Sequence, residues 1–130
     1  MIKGINIPLP TKDIAIKLNL SVLGEPTENR VLIIHPNDNE YTTKSGLYVS
    51  NPDSNELPKK GVIIKLGPIT EEYKTYINQL MVGSIVTYGM YAGKEIEPNF
   101  TDSELNLGND YKYTVLSLNE LIYIENELIS

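Results

Sequence analysis

Short apolar runs, separated by turn-forming residues, are the main pattern along this chain. The clearest runs are rich in Val, Ile, Leu, Tyr and Thr and are bounded by Gly, Pro, Asn and Asp; they are Arg30–His35, Gly61–Leu66, Ser84–Tyr88 and Tyr113–Leu118. This composition and spacing predict the strands of a small barrel. A tight turn at residues 118–121 leads into residues 122–124, which we predict to be a last strand that closes the barrel. The predicted fold class is therefore all-β.

The first 24 residues contain a stretch with an apolar side chain at every second position. These residues are Ile14, Ile16, Leu18, Leu20 and Val22. A period of two places them on one face of a β-strand, because successive side chains of a strand point to opposite faces. We predict a half-buried edge strand here, within an N-terminal extension (residues 1–24) that precedes the main domain (residues 25–130).

Two later segments are too polar to form core. Residues 36–60 contain three prolines among many Asn, Asp, Ser and Lys, a composition that buries little surface and predicts a mobile loop over about residues 37–60. Residues 97–110 are also polar and contain Pro98 and Gly108, which predicts a surface loop or hairpin.

An apolar triplet, Leu47-Tyr48-Val49, interrupts the polar residues of the predicted loop. The pattern alone leaves two interpretations open. The triplet is either a strand of the barrel or a linear recognition motif, which becomes ordered when its apolar side chains enter a groove on a partner.

Length, charge and composition exclude several functional classes. The 130 residues fit one domain, and the net charge of −6 opposes contact with phosphate backbones, so we expect no nucleic-acid partner. No apolar run is long enough to span a bilayer, and the N-terminus lacks the apolar core of a signal peptide. The chain contains no cysteine, which fits a reducing compartment. We therefore expect a soluble, cytoplasmic protein without a membrane partner.

Residues that could carry out chemistry are few. His35 is the only histidine, and without cysteine a metal site would need carboxylates alone, so we interpret His35 as structural. The adjacent acids Glu71 and Glu72 are of a kind that is usually solvated. No glycine-rich phosphate loop is present. We expect no enzymatic activity, no metal site and no cofactor.

Several segments, taken in order, resemble the GroES-type co-chaperonins. In Pro26–Ile33, a proline, three residues and an arginine precede a strand, which is similar to the opening of that family. Thr43–Val49 resembles the family's mobile loop, in which a glycine stands before an apolar tripeptide. Four further segments follow in the family's order: Gly61–Gly67, Val82–Val86, Tyr91–Ile96 and Tyr113–Ile122.

The chain also departs from that family's pattern. Ser84 stands where the family usually has Asp, and Asn119-Glu120 replaces its usual turn pair. The segment Pro68–Leu80 occupies the place of the family's roof hairpin but lacks a central turn glycine. Residues 1–24 and 97–110 exceed the compact bacterial pattern, which makes the chain more similar to the co-chaperonins carried by bacteriophages.

The resemblance implies an irregular, GroES-like β-barrel that assembles into a heptameric dome. The dome would cap a GroEL-type chaperonin ring, host or phage-encoded, in an ATP-dependent cycle and enclose an unfolded client protein, such as a phage capsid protein, in the host cytoplasm. The implied chaperonin-binding residues are Gly46, Leu47, Tyr48 and Val49, and the implied mobile-loop flanks are Thr43, Lys44, Ser45 and Ser50. Glu71 and Glu72 are the candidate roof residues.

Two other functional classes remain open. One is an OB-like barrel that binds nucleic acid or glycan through its tyrosines, and the other is a structural β-domain of a phage particle. Stacking platforms for nucleic acid need a basic groove, whereas this chain is acidic. We therefore assign Tyr88, Tyr91, Tyr111 and Tyr113 to the core, to strand pairing or to subunit contacts.

Overall fold

The structure is a computed structural model of the 130-residue chain, and it describes residues 8–37, 58–76, 78–101 and 110–126. In chain order the elements are α1 (Lys12–Ser21), β1 (Arg30–Pro36), β2 (Lys59–Leu66), a 3-10 helix (Glu71–Tyr76), β3 (Ile85–Tyr88), β4 (Lys94–Ile96), β5 (Tyr111–Ser117), a second 3-10 helix (Leu118–Glu120) and β6 (Leu121–Glu125). The strands form one antiparallel sheet in the order β4-β5-β1-β2-β3-β6.

The five strands predicted from the apolar runs are present, with ends that differ by one or two residues. The predicted all-β fold class is confirmed. The short strand β4 was not predicted as a strand, since Lys94 and Glu95 give it little apolar character. It pairs with β5 over all three of its residues.

Both faces of the strands β1 and β2 are buried. From Val31 to Ile34 no residue of β1 is more than 4% exposed, and Val62 to Ile64 of β2 are no more than 1% exposed. Because side chains alternate along a strand, two separate cores result. One holds Val31, Ile33, Ile63, Val86, Leu116 and Leu118. The other holds Leu32, Ile34, Val62 and Ile64 together with Ala15, Leu18 and Val22.

Residues 12–21 form the helix α1, so the prediction of an edge strand was wrong. Thr11 caps the helix, because its Oγ1 accepts a hydrogen bond from the Ile14 amide at 3.3 Å. Asp13 lies in the first turn, where its negative charge interacts favourably with the positive end of the helix dipole. The local signals for a helix start therefore outweighed the period-two pattern.

Packing against the sheet selects the helical spacing. Ala15, Leu18 and Val22 lie three or four residues apart and are 0%, 0% and 8% exposed, whereas Leu20 is 78% exposed. The three buried side chains cover the second apolar face of β1 and β2. Asn19 fixes the helix to β2, since its Nδ2 donates to the Ile64 carbonyl at 2.9 Å.

The chain after α1 pairs with the chain after β4. Val22 and Phe100 form an antiparallel bridge, the Leu23 amide donates to the Asn99 carbonyl at 2.8 Å, and the Thr101 amide donates to the Ser21 carbonyl at 2.8 Å. The first part of the polar segment 97–110 is thus paired backbone, while residues 102–109 lie outside the described residues.

Candidate functional site

The residues implied to bind a chaperonin lie outside the described part of the chain. These are Gly46, Leu47, Tyr48 and Val49 with the flanks Thr43, Lys44, Ser45 and Ser50. The structure does describe the strands on either side, with β1 ending at Pro36 and β2 beginning at Lys59. We call His35, Pro36, Asn37, Lys59 and Lys60 the loop base. The geometry of the candidate site is the geometry of this base.

Strand β5 holds the first half of the loop base. Pro36 lies opposite Tyr111 and His35 lies opposite Lys112 in the β1–β5 register. The Asn37 amide then donates to the Asp110 carbonyl at 2.8 Å, which extends the pairing one residue beyond β1. The position at which the chain leaves the sheet after β1 is therefore fixed by β5.

His35 adds side-chain contacts at the same end. Its Nε2 lies 2.7 Å from Thr114 Oγ1, and its Nδ1 lies 3.1 Å from the Pro36 carbonyl oxygen. A carbonyl only accepts hydrogen bonds, so in the neutral ring Nδ1 carries the proton and Nε2 accepts from the Thr114 hydroxyl. The ring is 8% exposed and meets Tyr88 edge-on at 6.3 Å. These contacts support the structural interpretation of His35.

Strand β3 holds the second half of the loop base. Lys59 and Lys60, which the predicted loop included, lie opposite Tyr88 and Thr87. An ion pair at 3.5 Å joins Lys60 Nζ to Glu125 Oε2; both side chains are partly exposed, so the pair contributes little to stability. The two strand ends at the base are therefore held by different neighbours, β1 by β5 and β2 by β3.

Gly61 allows β1 and β2 to approach closely just above the loop base. A Cβ atom at this position would lie 2.6 Å from Ile33 Cδ1 and 3.2 Å from the Ile34 carbonyl oxygen. A larger residue would push the two strands apart where they support the loop. The sequence reasoning did not single out this glycine; its place between Lys60 and an unbroken apolar run was the available signal.

The candidate roof segment forms a 3-10 helix that is kinked at Tyr73. Glu71 and Glu72 are exposed in its first turn, and Glu71 pairs with Lys74 at 3.0 Å on the surface. Tyr73 and Tyr76 stack at 6.0 Å and pack against the core that contains Val31 and Leu116. The described part of this segment therefore folds back onto the sheet, and the role of its two glutamates stays a prediction.

Ser84 and Glu120, at two of the departures from the family pattern, each join separate elements. Ser84 is 1% exposed; its hydroxyl accepts from the Met81 amide at 3.1 Å and donates to Asn126 just after β6. Glu120 accepts from the Ser117 amide at 2.9 Å and from the Gly93 amide at 3.3 Å. Ser84 thus joins the turn before β3 to the end of β6, and Glu120 joins the turn before β6 to the turn before β4.

The tyrosines that were weighed as a binding platform are dispersed. Tyr88 is 2% exposed and Tyr91 is 80% exposed, while Tyr111 and Tyr113 are partly buried on β5. Burial raises the pKa of Tyr113. Burial and, second, the nearby charge of Asp110 raise the pKa of Tyr111. Neither tyrosine is therefore more acidic than usual.

A cleft of about 710 Å³ lies beside β4 and β5. Phe100, Tyr111 and Tyr113 supply its aromatic lining, and Glu95 and Glu97 supply carboxylates. Lys112 also lines the cleft, but its Nζ is paired with Glu95 Oε2 at 3.1 Å. The lining therefore has no excess of positive charge to attract a phosphate backbone, and the cleft gives no support to the nucleic-acid alternative. Within the described ranges, no three metal-ligating side chains are grouped as a metal site would require, and no helix is long and apolar enough to cross a membrane.

The chain matches a known protein family. The family model of the Chaperonin 10 Kd subunit matches residues 24–122, which include the loop base and the whole segment between its two strands. The chain belongs to this family, the GroES-type co-chaperonins. The resemblance drawn from the ordered motifs is thereby confirmed at the level of the family.

Curated members of the co-chaperonin family match over most of their length. A protein named co-chaperonin GroES from Arthrobacter sp. is 32% identical over 107 residues, which cover 81% of this chain and 97% of that protein. A co-chaperonin GroES from Rhodothermus marinus is 42% identical over 74 residues, 55% of this chain and 71% of that protein. Co-chaperonin GroES 1 from Rhodopirellula baltica is 35% identical over 84 residues, 62% of this chain and 76% of that protein.

Proposed function

We propose that this protein is a co-chaperonin that caps a GroEL-type chaperonin ring during the ATP-dependent cycle of that ring, and encloses an unfolded client. The observation that carries the proposal is the family match, whose range, residues 24–122, includes β1, the loop segment and β2. A cap acts by binding and has no active site. The proposal therefore includes no catalytic residue and no cofactor.

Within this function, residues 46–49 make the contact with the chaperonin. Leu47, Tyr48 and Val49 are the apolar group of an otherwise polar segment, and burial of each on a partner contributes about 1.5–3 kcal/mol. Fixing the surrounding residues on the partner costs a few kcal/mol of conformational entropy. One loop alone should therefore bind weakly and release easily.

A ring of subunits converts weak single contacts into firm capping. We propose the homo-heptamer of the GroES-type co-chaperonins, in which seven loops face one chaperonin ring. After the first contact, the others bind at a high effective concentration, so avidity exceeds single-loop affinity by roughly 10²–10⁴. Small changes at each loop site in the chaperonin's ATP cycle would then be multiplied around the ring and drive release.

Strand β6 offers a surface for such assembly. Among the described residues it pairs on one side only, with β3, and Ile122 and Tyr123 are 63% and 60% exposed. An uncovered strand edge with exposed apolar side chains is a common site of association between chains. This surface supports self-association, while the number seven rests on the family.

The finer proposal is that the protein is phage-encoded, acts in the host cytoplasm and assists a capsid protein. Its support is the material beyond the compact bacterial pattern. The helix α1 precedes the residues that the family model matches, and residues 97–101 pair with the chain that follows α1. Identification of the client trapped under the cap in infected cells tests this proposal.

Substitutions in the apolar triplet test the main proposal. We expect Leu47→Asp or Val49→Asp to abolish capping of a chaperonin in the presence of ATP, with the mass of the free ring unchanged. Ser50→Asp is the matched control, because it adds the same charge beside the triplet without removing an apolar side chain. Complex formation is read by size-exclusion chromatography and electron microscopy. Unimpaired capping by Leu47→Asp would contradict the proposed role of the triplet.

A further inference from the structure

The cleft beside β4 and β5 lies at the same end of the sheet as the loop base. Pro36, the last residue of β1, is opposite Tyr111, and Tyr111 lines the cleft together with Asn37 of the loop base. Strand β4 is antiparallel to β5 and ends with Ile96 opposite Tyr113, so the chain after β4 continues toward this end. We call this cavity the base cleft. A partner that the loop binds is therefore brought to the end of the subunit that carries the base cleft.

The mouth of the base cleft is open to solvent. Ile96 is 40% exposed although it is apolar, and Glu97 and Asn99 are exposed beside it. The Phe100 ring is partly buried and lies 5.6 Å from the ring of Tyr113. The volume of about 710 Å³ is within the range of ordinary ligand pockets. The cleft therefore offers an accessible apolar and aromatic wall to a group that enters from outside.

The lining of the base cleft has a net negative charge. Lys112 is its cation among the described residues, and Lys112 Nζ is paired with Glu95 Oε2 at 3.1 Å. Glu97 forms no ion pair within the described part of the chain, so it leaves one negative charge uncompensated. Asp110 lies close enough to Tyr111 that its charge, after burial, raises the pKa of that tyrosine. The two lysines of the loop base are on β2, which lies on the other side of β1, and they do not line this cleft.

An aromatic wall beside an uncompensated carboxylate fits a cationic side chain with an apolar stem. Lysine and arginine pack their methylene groups along apolar surface and keep the charged end at its edge. The faces of aromatic rings attract the same cations. An acidic peptide or a phosphate would instead meet the charge of Glu97. The chemistry of the base cleft therefore selects a segment of protein that carries a lysine or an arginine.

We propose that the base cleft receives a lysine or arginine side chain of the chaperonin ring that the loop binds, as a second contact beside the loop. This inference rests on the proposed function and deepens it. The apolar triplet of the loop supplies the main binding energy, and the base cleft supplies a charged contact that fixes how the subunit is oriented on the ring. Exposed charges at the edge of an interface act mainly on the association rate and on the choice of partner.

Charge reversal at the mouth of the cleft tests the contact. We expect Glu97→Lys to raise the concentration needed for half-maximal capping of a GroEL-type chaperonin with ATP by about tenfold or more, because the repulsion is repeated at every subunit. Glu97→Gln keeps the shape and removes the charge, so its effect should be smaller, about threefold. Both effects should shrink in about 0.5 M salt, where exposed charges are screened. Light scattering and thermal melts check that each variant folds and keeps the mass of the wild type.

The matched control is the same charge reversal at the opposite end of the sheet. Glu72 is exposed in the 3-10 helix that follows β2. Strand β2 ends at Leu66, opposite Val31 near the start of β1, which places this helix away from the loop base. We expect Glu72→Lys to cap as well as the wild type does. Unimpaired capping by Glu97→Lys, or an equal loss from Glu72→Lys, would overturn the contact at the cleft.

Photo-cross-linking identifies what enters the base cleft. Benzoylphenylalanine is placed at position 97 in one protein and at position 72 in another, and each is irradiated with ATP and the chaperonin that the wild type caps. We expect position 97 alone to give an adduct with a lysine- or arginine-bearing segment of the chaperonin, identified by mass spectrometry. Adducts within the co-chaperonin alone would show that its own chain fills the cleft; they would overturn this inference and leave the proposed function standing. A wild type that caps no chaperonin overturns both proposals.

Discussion

Asn29 and Thr70 bind each other through both side chains. The Thr70 amide donates to Asn29 Oδ1 at 2.9 Å, Asn29 Nδ2 donates to Thr70 Oγ1 at 3.0 Å, and the Thr70 hydroxyl lies 3.3 Å from Asn29 Oδ1. Asn29 has a φ of 57°, the left-handed conformation that asparagine tolerates better than most residues. The pair joins the start of β1 to the start of the segment proposed as a roof.

Breaking this pair should loosen the segment at Thr70. Asn29→Gly keeps the left-handed backbone but loses the side-chain bonds, and we expect it to lower the free energy of unfolding by about 1–3 kcal/mol. Asn29→Ala should cost about 1–2 kcal/mol more, because alanine is strained at this φ. Chemical denaturation measures both. Thr70→Val combined with Asn29→Gly should cost less than the sum of the single changes, and strict additivity would contradict the coupling.

Gly67 should be intolerant of any side chain. An added Cβ would collide with the Thr27 carbonyl oxygen and lie 2.7 Å from that of Pro26, and backbone atoms cannot move aside as flexible side chains can. We expect Gly67→Ala to destabilise the protein by about 1–3 kcal/mol or more. Gly89→Ala is the control, since nothing lies within 4 Å of its added Cβ. Equal melting temperatures for the two variants would be the contrary result.

Loss of the hydroxyl should lower stability at one tyrosine of β5 but not at another. Among the described residues the buried Tyr113 hydroxyl has no hydrogen-bond partner, so Tyr113→Phe should leave stability unchanged or raise it by up to about 1 kcal/mol. The Tyr111 hydroxyl donates to the Pro8 carbonyl at 2.8 Å, so Tyr111→Phe should cost about 0.5–1.5 kcal/mol. Thermal melts at neutral pH compare them. A loss for Tyr113→Phe would show an unrecognised partner.

Alkaline pH should destabilise the protein through ionisation of Tyr113. Burial raises the pKa of Tyr113 above its ordinary value near 10, so the folded state holds the proton more tightly than the unfolded chain does. The stabilisation is complete below about pH 10 and is lost as the pH rises through the pKa of the folded state. We expect a shallower alkaline decline in unfolding free energy for Tyr113→Phe than for the wild type. Identical declines would exclude this contribution.

Substitutions along α1 test its packing on the sheet. Leu18 is fully buried against β1 and β2, and we expect Leu18→Ala to cost about 2–5 kcal/mol. Lys17 is its exposed neighbour, and Lys17→Ala should change stability by no more than about 0.5 kcal/mol. Denaturant titration of each variant gives the difference. A small effect of Leu18→Ala would mean that α1 contributes little to the fold.

The strands were predictable because their signal is local. Runs such as Val31–Ile34 and Gly61–Leu66 contain residues that favour extended backbone and end at turn formers. β4 was missed because three residues with two charges gain their conformation from pairing with β5. Strand ends likewise depend on neighbours, as Lys59 and Lys60 show at the start of β2.

The helix α1 was missed because its leucines and isoleucines also fit a period of two. The decisive signal lay elsewhere in the chain. Val31–Ile34 is apolar at every position, which is typical of strands that are buried on both faces. Such a strand needs a second covering layer, and the segment that begins with the Thr11 cap supplies it.

The candidate chaperonin contact rests on the resemblance to a family alone and stays a prediction. No residue type in Gly46–Val49 marks a chaperonin contact by itself, and these residues lie outside the described structure. The contacts that hold the loop base, such as His35 with Thr114, join residues far apart in the chain. Spacing along a sequence carries no signal for such pairs.

The covering of the sheet by α1 has a practical consequence for anyone who shortens the gene. Cutting the protein back to residues 24–122, the range that the family model matches, would remove the helix that covers Leu32, Ile34, Val62 and Ile64. The shortened protein would expose a contiguous apolar surface to water and should aggregate during purification. Any shortened form of the protein should therefore keep α1 and its cap Thr11.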